Sequence, residues 1–170
     1  MYNTLIRNII RFVALLILQV FVFDNIHFGS YIHPYVYVLF VMLLPFDTPK
    51  WRLLFDGFLI GMAVDIFSGT PGLHAAATVF MAFMRPYIIG ITSRKSDIED
   101  KTAPSITEMG LQWFAVYGLL LLLLHNLMLF MLEAFSFRLL GLVLLDTMLS
   151  APVSIIVIIL IIYIFKPIKK

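Results

Sequence analysis

Apolar stretches, each long enough or nearly long enough to cross a bilayer, follow one another along almost the whole chain. A helix needs about 20 apolar residues to span a hydrocarbon core about 30 Å thick. Runs and breakers give six such segments: Leu5–Phe23, Ile32–Phe46, Trp51–Phe67, Leu73–Ile91, Leu111–Leu132 and Leu139–Phe165. The second is short, so a full crossing would require little tilt, a thinned bilayer or a partly re-entrant path. Pro34 suits the first turn of a helix there. The expected fold is an all-α integral membrane protein, a six-helix transmembrane bundle in one domain over residues 1–170 with no soluble domain. Composition agrees, because 62% of the residues are hydrophobic and only 13% are charged. A soluble domain usually carries about 25% charged residues.

The punctuation between segments is consistent with this layout. Pro45 with Pro49, and Ser68-Gly69-Thr70-Pro71-Gly72, are turn signals. Ser105-x-x-Glu108 reads as a capping box before the fifth segment. At the N-terminus, Arg7 and Arg11 precede an apolar run that leads into Asp24-Asn25-Ile26-His27 without a small-residue cleavage site. That pattern predicts a retained signal-anchor helix rather than a removed leader.

Charge placement predicts orientation. Of the 12 lysines and arginines, Arg7, Arg11, Lys50, Arg52, Arg94, Lys95, Lys101, Lys166, Lys169 and Lys170 fall on one side if there are six passes. Arg85 lies within the fourth segment towards that side, and only Arg138 falls opposite. Basic loops stay in the cytoplasm, which would put both termini there and make the loop 93–107 a solvated cytoplasmic linker.

Ionisable groups inside the apolar segments require a partner or a purpose, since each costs a few kcal/mol in the membrane. Asp56 sits one helical turn after Arg52, and Arg85 on the fourth segment lies in the same half of the bilayer. We expect Asp56 to pair with Arg52, Arg85 or both, as an ion pair that sets helix register. Asp65 and His125 should each lie roughly 21 Å from the inner edge, and Asp146 about 10 Å from the outer edge, which brings the three to one depth. Asn126 and His74 add polar groups nearby. Interhelical hydrogen bonding accounts for such a layer without a ligand. The sharper readings are an outward-facing polar cavity, a partner-binding site, or a proton or ion path through Asp65, His125 and Asp146. Gly57 and Gly61 form a GxxxG pair that Asp65 continues at the same spacing, a face that lets another helix approach closely. Ser150 and Ser154 flank Pro152, which should kink the sixth segment.

Catalytic patterns are absent from the sequence. It has no P-loop, no dinucleotide fingerprint, no zincin motif and no nucleophile elbow. With no cysteine, and with His27, His33, His74 and His125 scattered, it offers no metal-ligand spacing. Neither an enzyme, a cofactor nor a nucleic-acid partner is expected.

The stretch Phe55-Asp56-Gly57-Phe58-Leu59-Ile60-Gly61-Met62-Ala63-Val64-Asp65, followed by Gly72 and Ala75-Ala76-Ala77, resembles the central signature of the rod shape-determining protein MreD family. Length and multi-span layout are similar as well. The resemblance implies a multi-pass protein of the bacterial inner membrane that belongs to the cell-elongation machinery. It implies a non-enzymatic scaffold that helps position sidewall peptidoglycan synthesis beside MreC, with MreB, RodA and the elongation-specific penicillin-binding transpeptidase as further partners. The residues carried over are Gly57, Gly61, Asp65 and Gly72. The family's fold is similar to the six-helix substrate-binding component of energy-coupling-factor transporters, so a vitamin-like small molecule is the alternative ligand. Those components dock through Ala-x-x-x-Ala on the first helix, whereas here Ala14 is followed at that spacing by Leu18.

Overall fold

The computed structural model describes residues 2–26 and 32–165. His27, Lys166, Lys169 and Lys170 lie outside the described residues. Among the described residues the chain is helical, with no strand. The elements in order are α1 (Tyr2–Phe21), a 3-10 turn (Phe23–Asn25), α2 (Leu39–Met42), α3 (Lys50–Ser68), α4 (Leu73–Thr92), α5 (Lys95–Ile98), α6 (Ile106–Met109), α7 (Leu111–Ala134), a second 3-10 turn (Phe137–Leu139) and α8 (Leu140–Ile164).

Four helical stretches are long and apolar enough to cross a membrane: Ile6–Asn25, Leu73–Thr92, Leu111–Ala134 and Phe137–Ile164. This is a membrane protein. α3 has comparable length but carries Arg52, Asp56 and Asp65 within its 19 residues. The helices zigzag, with α4 packed between α3 and α7, and α7 between α4 and α8. α1 leans on α3 and on the segment around α2. Lys50, Arg52, Arg94 and Lys101 thereby share one end of the bundle with Arg7 and Arg11, hereafter the basic end.

Local chemistry explains the helix boundaries. Pro49 leads into α3 in extended conformation, and Gly69, left-handed at φ 69°, ends it. Gly72 (φ 81°) then opens α4. The Ser105 signal does cap a helix, since its hydroxyl accepts from the Glu108 N–H at 3.3 Å. That helix is the single turn α6, which Gly110 (φ 88°) separates from α7. The reciprocal half of the box is absent. The Glu108 carboxylate turns instead to the Thr102 N–H and hydroxyl, both at 2.6 Å, and to the Ala103 N–H at 3.2 Å. These bonds, the Thr102 hydroxyl first, hold the carboxyl below its ordinary pKa.

The expected second helix, Ile32–Phe46, is not one. Only Leu39–Met42 is helical there, and the run Ile32-His33-Pro34-Tyr35-Val36 before it belongs to no helix. Pro34 lacks an N–H and disfavours helical backbone at His33. The Tyr35-Val36-Tyr37-Val38 alternation of aromatic and β-branched side chains favours extended backbone as well. An extended residue advances about 3.3 Å and a helical one about 1.5 Å, so Ile32–Leu44 reaches roughly 28 Å, nearly as far as a 20-residue helix. Among the described residues the bundle is therefore five long helices around one largely non-helical segment, in place of six helices.

That segment occupies the interior. Tyr35, Val36, Tyr37, Val38, Leu39, Phe40, Val41 and Met42 are all buried. Extended backbone cannot satisfy itself, so neighbouring helices do so. Ser150 and Ser154 of α8 accept from the His33 and Tyr35 N–H groups, each at 3.0 Å. Gln19 of α1 accepts from the Val36 N–H at 2.8 Å and donates to the Pro34 carbonyl at 3.2 Å. Tyr117 of α7 donates to the Met42 carbonyl at 3.0 Å, and Arg85 of α4 donates to the Leu44 carbonyl. The Phe46 N–H reaches the Thr102 carbonyl at 3.0 Å, which places this end of the segment at the basic end.

Candidate functional site

The Gly57/Gly61/Asp65 face is turned inward, onto α4. A Cβ added at Gly61 would lie 2.6 Å from the Ala75 Cα and 2.7 Å from the His74 carbonyl oxygen, and one at Gly57 would lie 3.2 Å from the Ala82 Cβ. The glycines thus permit backbone contact within the α3–α4 hairpin. Asp65 closes the hairpin. Its carboxylate accepts from the His74 and Ala75 N–H groups at 3.0 and 2.8 Å, and also binds the Thr70 hydroxyl and His74 Nδ1. These are free amides of the first turn of α4, so Asp65 acts as its N-terminal cap from the preceding helix. Gly72 lies in the turn itself, with open space where a Cβ would sit.

From Asp65 a chain of polar contacts runs across the bundle. Thr78 donates to the His74 carbonyl at 2.7 Å and lies 3.2 Å from the Tyr37 hydroxyl. Tyr37 meets His125 Nε2 at 2.7 Å, and His125 Nδ1 meets Asn126 Oδ1 at 3.0 Å. A neutral imidazole protonated at Nδ1, accepting from Tyr37, satisfies both contacts. Tyr35 packs edgewise on His74 and His125, with ring centroids 5.8 and 5.5 Å apart. Asp65, His74, His125 and Asn126 are therefore brought together, linked through Thr78 and Tyr37. Asp146 is not part of this chain. Its Oδ1, like Asn126 Nδ2 and Thr147 Oγ1, is buried without a hydrogen-bond partner among the described residues.

Of the two partners expected for Asp56, the structure selects Arg52. Arg52 and Asp56 do pair, at 3.6 Å on successive turns. Arg85 joins no carboxylate among the described residues. Only 2% exposed, it binds the Tyr117 hydroxyl at 3.0 Å and the Leu44 carbonyl. The segment around α2 offers that carbonyl because its backbone is not helical there.

At the end opposite the basic residues, a cavity of about 620 Å³ opens above His74 and Tyr35, walled by Gln19, Asp24, His33 and Ser68. Asp24 ties its sides together, accepting from Gln19 Nε2 at 2.8 Å and from the Ser68 hydroxyl at 3.0 Å. His74 connects this cavity to the internal chain.

Sequence reasoning missed Gln19, Asp24, Tyr35, Tyr37, Thr78 and Tyr117. A lone glutamine in an apolar helix and the tyrosine alternation after Pro34 were the available signals. No known protein family, no curated protein and no solved structure matches the chain.

Proposed function

We propose that the chain is a non-enzymatic scaffold of the bacterial cytoplasmic membrane. It crosses six times with both termini in the cytosol, and it belongs to the cell-elongation machinery that positions sidewall peptidoglycan synthesis. In this reading the basic end faces the cytosol, following the charge bias, and the cavity faces outward. MreC is the expected direct partner, with MreB, RodA and the elongation-specific transpeptidase in the same assembly.

The observation that carries the reading is where the MreD-like stretch leads. It ends at Asp65, which anchors the backbone of His74, and His74 forms the floor of the cavity. The stretch thus shapes a recess open to a partner's extracytoplasmic segment. A photo-crosslinker at Ser68 in living cells should capture MreC. Capture of no elongation protein, together with normal cell shape in an Asp65→Asn strain, would refute the assignment.

The cavity also supports a second reading, the binding component of a small-molecule transporter. Its volume falls within the range of about 300–1,000 Å³ typical of ligand sites, and several polar groups converge on it. A small molecule of defined mass retained on the purified chain and lost in a Tyr35→Ala variant would favour it.

A further inference from the structure

Among the described residues, several basic side chains have a partner. Arg52 has Asp56, Arg85 has Tyr117 and the Leu44 carbonyl, and Lys101 donates to the Glu108 carbonyl. The Arg7 and Arg11 side chains have no hydrogen bond and no ion pair among the described residues. They lie one turn apart on one face of α1. Both line the same groove of about 520 Å³, which runs between α1 and the last turns of α8. Ala14, Leu15, Leu18, Ile161 and Ile162 contribute to its apolar wall, and among the described residues its charged lining is the two arginines. Asp47, Glu99 and Glu108 line a separate recess that the arginines also border, and none of them is within ion-pair distance of either.

A groove that is apolar along its length and doubly cationic at one end matches an amphiphile with an acyl chain and an anionic head. We infer that this groove is a binding site for an anionic phospholipid, whose phosphate sits between Arg7 and Arg11 and whose acyl chain lies along Ala14 and Leu18. Guanidinium groups suit phosphate because they donate in a planar fork, and basic pockets between membrane helices bind anionic heads in this way. A zwitterionic lipid would fill the same groove without the net attraction. The inference does not depend on the elongation reading, since it uses only the groove and its charges.

Native mass spectrometry of the full chain in mild detergent, with equal amounts of phosphatidylglycerol and phosphatidylcholine of matched acyl chains, tests the site. We expect phosphatidylglycerol to be retained roughly tenfold over phosphatidylcholine. R7Q/R11Q should bring the ratio to near one, while R138Q at the other end leaves it unchanged. Ala14→Trp, which fills the groove and keeps both arginines, should lower retention of both lipids. A preference that survives R7Q/R11Q, or that R138Q erodes equally, would overturn the site. So would capture of a protein segment in place of lipid by a photo-crosslinker at Ala14 in cells.

Discussion

The α3–α4 hairpin and the Ile32–Leu44 segment cross the same interior by opposite means. The hairpin satisfies its own backbone, and its two helices close on each other through Gly57 and Gly61, with Asp65 capping the joint. The segment satisfies little of its own backbone and draws on Gln19, Arg85, Tyr117, Ser150 and Ser154 from four different helices. Polar side chains inside a membrane bundle therefore need not mark transport. Here Gln19, Arg85, Tyr117, Ser150 and Ser154 replace hydrogen bonds that a helix would have made for itself.

Breaking the hairpin should have the largest effect. Gly61→Leu forces a side chain into the α4 backbone and should destabilise the fold by about 3 kcal/mol, read by denaturant unfolding in detergent. Gly57→Ala, whose added Cβ would approach the Ala82 Cβ at 3.2 Å rather than α4 backbone at 2.6 Å, should cost less. On the segment's side, Gln19→Leu leaves the Val36 N–H and the Pro34 carbonyl unsatisfied and should cost about 2 kcal/mol. Gln19→Glu keeps the acceptor for Val36 but sets a buried carboxylate against Asp24 and the Pro34 carbonyl, so it should not rescue the fold. Asp65→Ala should cost about 1–2 kcal/mol as a lost cap, with Asp65→Asn intermediate. If Gln19→Leu were neutral, the contrast between self-sufficient hairpin and dependent segment would fail.

The smallest effect lies outside the bundle. Glu108 has a lowered pKa in the folded chain, held chiefly by Thr102. Its bonds should stabilise the 102–108 loop at neutral pH and begin to weaken as pH falls below the ordinary value of 4.5, being lost once pH passes the lowered value. Amide exchange at Thr102 and Ala103 should follow that course, and Glu108→Gln should remove the pH dependence.

Legibility in the sequence follows the length of each signal. The long helices lie on the apolar runs, with α4 and α7 beginning at Leu73 and Leu111 where those runs begin. Arg52 and Asp56 are readable because helix spacing alone sets their contact. Depth places Asp65 with His125 but cannot show that Tyr37 and Thr78 connect them, since both depend on how an extended segment threads between helices. Hydrophobicity cannot separate an extended buried segment from a short helix, and only Pro34 and the tyrosine alternation hint at the difference. Depth also leaves Arg85 open as a second partner for Asp56, yet helix rotation turns it towards Tyr117.

The claim on which most depends is that Ile32–Leu44 threads the bundle from end to end. The chain has no cysteine, so cysteines can be introduced in pairs without background. With a short bifunctional crosslinker, cysteines replacing His33 and Ser150 should link to each other, and those replacing Phe46 and Thr102 should link likewise, while the His33 and Thr102 positions should not. Linkage of the His33 position to that of Thr102, with none to Ser150, would place the segment's two ends on the same side and contradict the account.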